Sequence, residues 1–432
     1  MVVNRRPGLL AGLFHAVVVF VAVMCGSGCG RQDADDGSDP AVLVGGDSAT
    51  VATQPRVITV TLPGEAAKMY RTGGERAVSG TLARRLETRF PHLEVVPCLE
   101  RAAGIYGRTA GADGFPLAFS EFVLHWSGCP DPFAAVIHVL TDDDGDDEFF
   151  EHLAEMLATV PATHAGVSKD PASAPYAWRW TVFLTQRDVE MQPVPTSVHP
   201  GTSVAILIRF LRPVDGASVI STLPDGRVVE TAGGLSGDRL LAAVQIADRP
   251  GTQWIEVIAS NASGPHVVLL FPVEIGREPP RAWVGSRRRS EDWINDPVTA
   301  EAYALELLQE DRERFGLPAL EYDDVLAAVA RRHSAEMART GEIAHVSRTT
   351  GTVVDRLQGA GFKASFAAEN IARSSTIADA EEGLMRSPGH RAAILSSDAT
   401  RVGIGIVTSN RPETGVVYFI TQVFAHPAPP GG

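Results

Sequence analysis

Three segments near the C-terminus decide the fold and the candidate site: Ala344-His345, Ala368-Glu369-Asn370-Ile371-Ala372 and Ser387-Pro388-Gly389-His390-Arg391. Each segment contributes one side chain that titrates or binds metals, either an imidazole or a carboxylate. We expect each of these side chains to lie at the edge of a helix or in a loop. The remainder of the chain carries signals of export from the cell.

Helix caps and apolar spacing predict an α+β domain around these segments, at residues 296–426. Asp296 and Pro297 are typical of a helix start, and a second helix runs from Asp323 to Gly341. Two more helices and two alternating strands are predicted at residues 352–358, 377–386, 402–408 and 416–424. Helices followed by a terminal hairpin favour a layered α+β domain, with residues 427–432 as a tail.

The N-terminus predicts export from the cytoplasm of a bacterium. A basic start precedes an apolar run that is short for a spanning helix. The run ends at Gly26-Ser27-Gly28-Cys29, which resembles a bacterial lipobox. We therefore predict a lipoprotein signal peptide at residues 1–28, lipidation of Cys29, and an acidic flexible tether at residues 29–55. This places the protein at an outer membrane or cell surface; ordinary cleavage and secretion is the alternative.

Two further domains are predicted between the tether and the C-terminal domain. Residues 56–190 combine strand-like and helical spacing, which is typical of an α+β domain. Residues 191–276 contain short alternating strands separated by turns with Pro and Gly, which is typical of an immunoglobulin-like β-sandwich. Residues 277–295 include Pro279-Pro280 and are predicted to be a linker. The fold class is therefore multidomain α+β.

Charge and cysteine content narrow the partners. The formal net charge is −14 and no long Lys/Arg block follows the N-terminus, which disfavours nucleic acid as a partner. The acidic run at residues 142–148 lacks the spacing of an EF-hand calcium loop. Cys98 and Cys129 remain after the signal peptide and could form a disulfide in an oxidising compartment. The alternative is two buried free thiols.

The C-terminal domain resembles the CAP superfamily, the cysteine-rich secretory and pathogenesis-related proteins, in its cysteine-poor bacterial branch. The resemblance extends from Pro297 to Phe424 and rests on the order and spacing of several motifs. Besides the three opening segments, these are Arg314-Phe315-Gly316-Leu317-Pro318-Ala319-Leu320, Ala330-Arg331-Arg332-His333-Ser334-Ala335-Glu336-Met337, Val402-Gly403-Ile404-Gly405 and Thr421-Gln422-Val423-Phe424. The resemblance implies a three-layer α-β-α sandwich.

The resemblance also implies a site. Many members of the family carry two histidines and two glutamates around a surface cleft. His345, Glu369 and His390 match three of those positions. The fourth falls near Ser387, so the second acid is absent from this domain.

Two imidazoles and a carboxylate suit several kinds of chemistry. They suit a divalent metal such as Zn²⁺, for which His345 and His390 are the candidate ligands. They also suit general acid–base work, with Glu369 and His390 as candidate catalytic residues. For ligand binding, Arg391 joins these three as a candidate for anionic groups. The alternative is structural: Glu369 bonds loop backbone and His390 caps a helix. His333 lies on an apolar helix stripe and is expected to be structural.

An internal repeat connects residues 56–190 with the C-terminal domain. The parallel stretches are 89–99 with 314–322, 162–167 with 399–404, and 180–186 with 418–422. The first domain contains no Glu-Asn-Ile or Ser-Pro-Gly-His segment. We therefore predict that residues 56–190 form a degenerate CAP-like domain; coincidental strand alternation is the alternative.

Three functions are compatible with this sequence. The first is a membrane-tethered module that binds an envelope or extracellular ligand, a glycan, lipid or peptide, in a His/Glu cleft. The second is a hydrolase or protease that uses a metal or the His/Glu pair. Ser387 lies near His390, but no Gly-x-Ser-x-Gly nucleophile motif is present. The third is a structural envelope protein without a ligand.

Overall fold

The computed structural model describes residues 15–19, 57–72, 80–109, 116–132, 134–141, 146–158, 160–173, 176–286, 291, 293–411 and 415–429. These residues form an α+β domain at each end of the chain and a two-sheet domain between them. The predicted lipidation site Cys29 and the predicted tether at residues 29–55 lie outside the described residues. Within the described part, no helix combines the length and apolar character needed to cross a bilayer.

The N-terminal domain is built around a mixed five-stranded sheet. Its helices are α1 (Thr81–Arg89), α2 (Pro97–Thr109), α3 (Leu117–Trp126) and α4 (Asp146–Leu157). Its strands are β1 (His15–Val19), β2 (Val57–Thr61), β3 (Met69–Tyr70), β4 (Glu94–Val95), β5 (Ala135–Thr141), β6 (His164–Pro171) and β7 (Trp178–Thr185). The sheet order is β1-β5-β7-β6-β4, in which only the β4–β6 pair is parallel. Strand β1 lies within the predicted signal peptide, whose removal stays a prediction.

The two-sheet domain follows directly. Its strands are β8 (Val189–Met191), β9 (Val194–Pro195), β10 (Ser197–Val198), β11 (Ser203–Phe210), β12 (Gly216–Thr222), β13 (Val228–Thr231), β14 (Gly233–Ser236), β15 (Arg239–Gln245), β16 (Gly251–Asn261) and β17 (Gly264–Ile275). One sheet has the order β10-β17-β16-β12-β13 and the other β14-β15-β11-β8. Alternate side chains of both sheets, such as Ile206 and Val257, share one hydrophobic core.

The predicted linker at residues 277–295 contains a strand instead, β18 (Ala282–Ser286). This strand returns to the N-terminal domain and pairs antiparallel with β2. Trp283 explains the pairing, because its indole packs edge to face against Phe119 at 5.4 Å in the core of that domain. The N-terminal domain therefore contains two separate segments of the chain, one before and one after the two-sheet domain in sequence.

The C-terminal domain contains five helices and a four-stranded sheet. Its elements are α5 (Pro297–Arg314), β19 (Glu321–Tyr322), α6 (Asp324–Thr340), α7 (Val353–Gly359), β20 (Ala364–Ser374), α8 (Ile377–Arg386), α9 (Pro388–Ile394), β21 (Arg401–Arg411) and β22 (Gly415–Pro427). The predicted caps are present: Asp296 accepts from the Thr299 amide at 2.9 Å, and Gly341 has a left-handed φ of 72°. Sheet order is β19-β21-β22-β20. Helices α5, α8 and α9 cover one face, and α6 and α7 the other.

Both α+β domains follow the same plan. In each, a short strand pairs parallel with the next strand of the sheet, and two antiparallel pairs complete it: β4-β6-β7-β5 and β19-β21-β22-β20. A glycine in the second strand meets a helix in both. A Cβ at Gly166 would lie 1.9 Å from the Leu99 carbonyl carbon, and one at Gly403 would lie 2.1 Å from the Ala327 nitrogen. Only glycine permits this approach of helix to strand.

Candidate functional site

The structure brings His345, Glu369 and His390 together at one end of the C-terminal domain. His345 lies in the loop between α6 and α7, Glu369 in the middle of β20, and His390 in the first turn of α9. The expectation that all three lie at helix edges or in loops was wrong for Glu369. Strand β20 was not predicted, because its Ala- and Ser-rich sequence has weak strand propensity and depends on pairing with β22.

The carboxylate of Glu369 is held by two partners. It accepts from Nδ1 of His345 at 3.1 Å and from the Arg356 guanidinium, and only 2% of its side chain is exposed. Arg356 also donates to the backbone oxygens of Gly351 at 2.7 Å and His345 at 3.3 Å. Burial alone would raise the pKa of Glu369, but the His345 hydrogen bond and the Arg356 charge lower it below its usual value. Glu369 is therefore an ionised acceptor whose partners are already fixed.

His390 has a different set of neighbours. Its Nδ1 lies 2.6 Å from Oγ of Ser387, and Ser387 donates to the carboxylate of Glu256 in β16. The same carboxylate accepts from the Gly389 amide at 2.7 Å. Asn370, next to Glu369, donates to the backbone oxygen of His390 at 3.2 Å and so fixes α9 against β20. Burial lowers the pKa of His390 to about 3, helped by the nearby His345, so this imidazole is neutral.

The two imidazoles form a stacked pair. The ring centroids of His345 and His390 lie 6.2 Å apart with an angle of 27° between the planes. Each Nδ1 is engaged, one with Glu369 and the other with Ser387. Among the described residues, Nε2 of neither ring has a hydrogen-bond partner. These two Nε2 atoms are the uncommitted polar groups of the site.

The two-sheet domain covers this pair. Ser263, in the turn between β16 and β17, accepts from the Val346 amide at 3.1 Å. Gly264 has a φ of 97°, and a Cβ there would lie 3.1 Å from Cβ of His345. With Glu256 against Ser387, the domain therefore contacts the site beside both histidines. As a result, His345 keeps 18% of its side chain exposed and His390 only 9% of its surface.

The remaining predicted residues lie elsewhere. His333 is buried, and its Nε2 lies 2.9 Å from the backbone oxygen of Ala344, so it fixes the loop before His345 as expected of a structural residue. Arg391 points away from the histidine pair and lies 4.3 Å over the ring of Phe315. There it lines a cavity of about 470 Å³ among all three domains. The lining combines aromatic side chains, such as Trp126, Trp254 and Trp283, with charged ones, such as Glu121, Glu274 and Arg386.

The metal-binding prediction can be compared with this geometry. A catalytic zinc site uses three protein ligands in addition to water. Among the described residues, His345, Glu369 and His390 do not bring three ligand atoms within 4.8 Å of one another. Glu369 is already bound to Arg356, so it does not serve as the third ligand. The residues present do not fit a three-ligand zinc centre; they offer two imidazole nitrogens.

Cys98 and Cys129 form a disulfide with Cα atoms 5.6 Å apart.

Two site residues were missed at the level of sequence. Arg356 lies eleven residues after His345, across a turn and a helix start, and nothing local indicates that it returns to Glu369. Glu256 lies in another domain. In the sequence, Glu256 is the single acid within the apolar stretch Trp254-Ile255-Glu256-Val257-Ile258. Because a buried charge requires a partner, this acid could have been recognised as part of a polar contact.

Comparison with known proteins agrees with the resemblance seen in the sequence. Residues 305–424 match the family described as CAP, the cysteine-rich secretory protein family. An uncharacterized membrane protein of Bacillus subtilis (strain 168), YlbC, is 38% identical over 117 residues, which is 27% of this chain and 34% of that protein. An uncharacterized protein of the same organism, YkwD, is 33% identical over 117 residues, which is 26% of this chain and 46% of that protein. The chain thus spans less than half the length of these curated relatives.

A solved structure of an extracellular protein containing a SCP domain from Bacillus anthracis str. Ames is also similar. It is 17% identical, covers 66% of this chain and 97% of its own, and has a TM-score of 0.28.

Proposed function

We propose, from the premise that residues 305–424 form a CAP domain of the cysteine-rich secretory protein family, that this protein binds an envelope or extracellular ligand between His345 and His390. The observation that carries the proposal is the stacked imidazole pair, with both Nδ1 atoms engaged and both Nε2 atoms uncommitted. A glycan, a lipid head group or a peptide each offers hydrogen-bond donors to such acceptors.

Binding is favoured over hydrolysis because the groups that hydrolysis would use, Glu369 and Ser387, already have hydrogen-bond partners. A general base needs a free lone pair near its substrate, whereas both oxygens of Glu369 hold partners. Ser387 is fully buried and donates its proton to Glu256, so its hydroxyl is not presented as a nucleophile. Hydrolysis through Glu369 and His390 therefore remains the weaker alternative, and a structural role without a ligand is the third.

Zn²⁺ is an alternative ligand of the same pair. Histidines that bind metals commonly donate their other ring N–H to a carboxylate, as His345 does to Glu369. The two Nε2 atoms would supply two ligands, and other donors would have to come from water or from the bound molecule. Zinc chemistry at this site would then depend on the donor atoms of the bound molecule.

The location of the protein is part of the proposal. The relatives are described as a membrane protein and an extracellular protein, and the N-terminus of this chain resembles a lipoprotein signal ending at Cys29. We place the binding site outside the cytoplasm, tethered to a membrane through that cysteine. We also assign an immunoglobulin-like class to the two-sheet domain, as its strand spacing suggests, and a degenerate CAP-like class to the N-terminal domain.

Retention on purified bacterial envelope fractions tests the binding proposal. The full chain is compared with His345→Ala/His390→Ala and with a matched control, His92→Ala/His199→Ala, which removes two exposed histidines. We expect the wild type and the control to be retained, and the site variant to bind about 30-fold more weakly, since it loses two hydrogen bonds of about 1 kcal/mol each. Equal retention of both double variants, or none by the wild type, would count against the proposal.

A zinc titration of the same three proteins separates the metal alternative. If Zn²⁺ is the ligand, the wild type and the control bind it and the site variant does not. If all three bind it equally, the imidazole pair is not a metal site.

A further inference from the structure

A carboxylate from outside the C-terminal domain lies behind His390. Glu256 is on the outer face of β16, because Ile255 and Val257 on either side of it point into the core of the two-sheet domain. Helix α9 covers this face, so Glu256 is fully buried. Among the described residues, its oxygens have no basic side chain as partner; they accept from Ser387 and from the Gly389 amide.

The direction of each hydrogen bond follows from this carboxylate. Burial raises the pKa of the Glu256 carboxyl to about 7, so the group is ionised above that pH. An ionised carboxylate only accepts, and a backbone N–H only donates. Ser387 has one proton and gives it to Glu256, so its oxygen accepts from Nδ1 of His390 at 2.6 Å. His390 then carries its proton on Nδ1, and its Nε2 presents a lone pair.

We propose that Glu256 is a positioning residue of the His345–His390 site, which acts through Ser387 to hold His390 in the tautomer whose Nε2 accepts. This rests on the proposed function, since the tautomer matters only where a ligand meets Nε2. Glu369 likewise accepts from Nδ1 of His345 through a direct hydrogen bond, so a neutral His345 also presents a lone pair on Nε2. Two neighbouring acceptors select a ligand that carries hydroxyl, amine or amide donors, or a cation, over a bare anion.

The two domains must be docked for this arrangement to exist. Gly389 allows it, because a Cβ at that position would lie 3.0 Å from Oε2 of Glu256 and 3.1 Å from Ile258. The acid that the C-terminal domain lacks near Ser387 is thus supplied by the neighbouring domain. The binding site is consequently a composite of both.

Nitrogen-15 NMR of the histidine rings tests the proposal in the full chain. Each neutral tautomer has a distinct pattern of ring nitrogen shifts, and His390→Gln identifies the signals of His390 among the twelve histidines. The measurement is made at about pH 9, above the pKa of about 7 to which burial raises the Glu256 carboxyl, so that this group is ionised. We expect the Nδ1–H tautomer in the wild type.

Glu256→Gln should reverse that tautomer. The Gly389 amide requires an acceptor, so the glutamine oxygen faces it and the glutamine NH₂ faces Ser387. Ser387 must then accept from the glutamine and donate to Nδ1 of His390, which moves the imidazole proton to Nε2. The tautomer ratio should change by about tenfold or more, because a hydrogen bond to a charged group contributes that much.

A matched control is Glu230→Gln, an exposed acid on the same sheet, which should leave His390 unchanged. If Glu256→Gln does not fold, Ser387→Ala removes the relay instead, and the preference for Nδ1–H should be lost. A wild-type His390 with its proton on Nε2, or retention of Nδ1–H in both folded variants, would overturn the proposal.

The two proposals fail separately. Because the NMR measurement uses no ligand, the expected tautomers without envelope retention would remove the proposed function and keep the role of Glu256. Retention that depends on the histidines, with unchanged tautomers in both variants, would do the reverse.

Discussion

The two α+β domains share the order of four sheet strands, and a central position of this sheet shows how they differ. The first residue of β6, His164, pairs with Thr185, and the first residue of β21, Arg401, pairs with Ala425. These two pairs give corresponding positions in the two sheets. Phe183 and Val423 lie two residues before these partners. Phe183 pairs with Val136 in the N-terminal domain, and Val423 pairs with Glu369 in the C-terminal domain. Val136 packs in an apolar core, whereas Glu369 is surrounded by histidines and an arginine.

This difference separates what the fold needs from what the site needs. The sheet and its helices assemble around a valine at this position in one domain, so the architecture does not require the carboxylate. The C-terminal domain buries two charges there, Glu369 and Arg356, at a desolvation cost that hydrogen bonds must offset. The architecture therefore does not require the polar cluster, which agrees with the binding role proposed for it.

Exchanging that position gives the largest expected effect. Glu369→Val leaves Arg356 buried without its carboxylate and should destabilise the C-terminal domain by about 3–5 kcal/mol, the usual cost of removing one partner of a buried pair. Hydrogen exchange of peptides from β20, followed by mass spectrometry, measures this domain separately from the others.

The double variant Glu369→Val/Arg356→Leu completes the comparison. Removing both charges should recover most of the loss, since apolar replacements of buried pairs are often neutral. A double variant as unstable as Glu369→Val would show that the carboxylate stabilises this domain by more than its pairing with Arg356.

The paired glycines give a smaller effect. Gly166→Ala and Gly403→Ala each force a Cβ into a helix backbone and should each cost about 2–3 kcal/mol, because overpacked cores strain their neighbours. Gly216→Ala is the control, as a Cβ there meets nothing within 4 Å. Chemical denaturation with exchange of α2 and α6 peptides measures both. A neutral Gly166→Ala beside a costly Gly403→Ala would break the equivalence of the two domains.

The smallest effect concerns pH. His138 in the N-terminal domain lies at the position that Ile371 takes in the C-terminal domain. Burial, with a contribution from Arg179, lowers the pKa of His138 to about 4. Unfolded histidine titrates near 6.5, so the unfolded chain binds the proton first, and stability is lost as pH falls between these values. His138→Ile should remove about 1–2 kcal/mol of this loss near pH 5. An unchanged difference in N-terminal domain stability between about pH 7 and pH 5 would contradict this.

Local signals predicted much of the architecture. The caps at Asp296, Asp323 and Gly341 depend on neighbouring amides, so the helix ends were visible in the sequence. Helix α8 was predicted with its exact bounds, and the terminal hairpin within three residues. Strand β20 and the strand inside the predicted linker were missed, because both depend on distant partners.

The site was predictable only in part, for the same reason. His345, Glu369 and His390 were identified through motif resemblance, and they do converge. Arg356 and Glu256 reach the site through the tertiary fold, and no spacing in the chain encodes either contact. Arg391 was expected at the site from its place beside His390, but adjacent helical residues point about 100° apart.

The pairing of β18 with β2 also has a mechanical consequence. Val57 pairs with Ser286 and Thr61 with Ala282, so the chain enters and leaves at the same end of a five-pair antiparallel ladder. A pull between the segment before Val57 and the C-terminal domain acts on that end and opens the hydrogen bonds one after another. Because the two-sheet domain lies between these strands in sequence, this pull does not stretch its backbone until the ladder has opened.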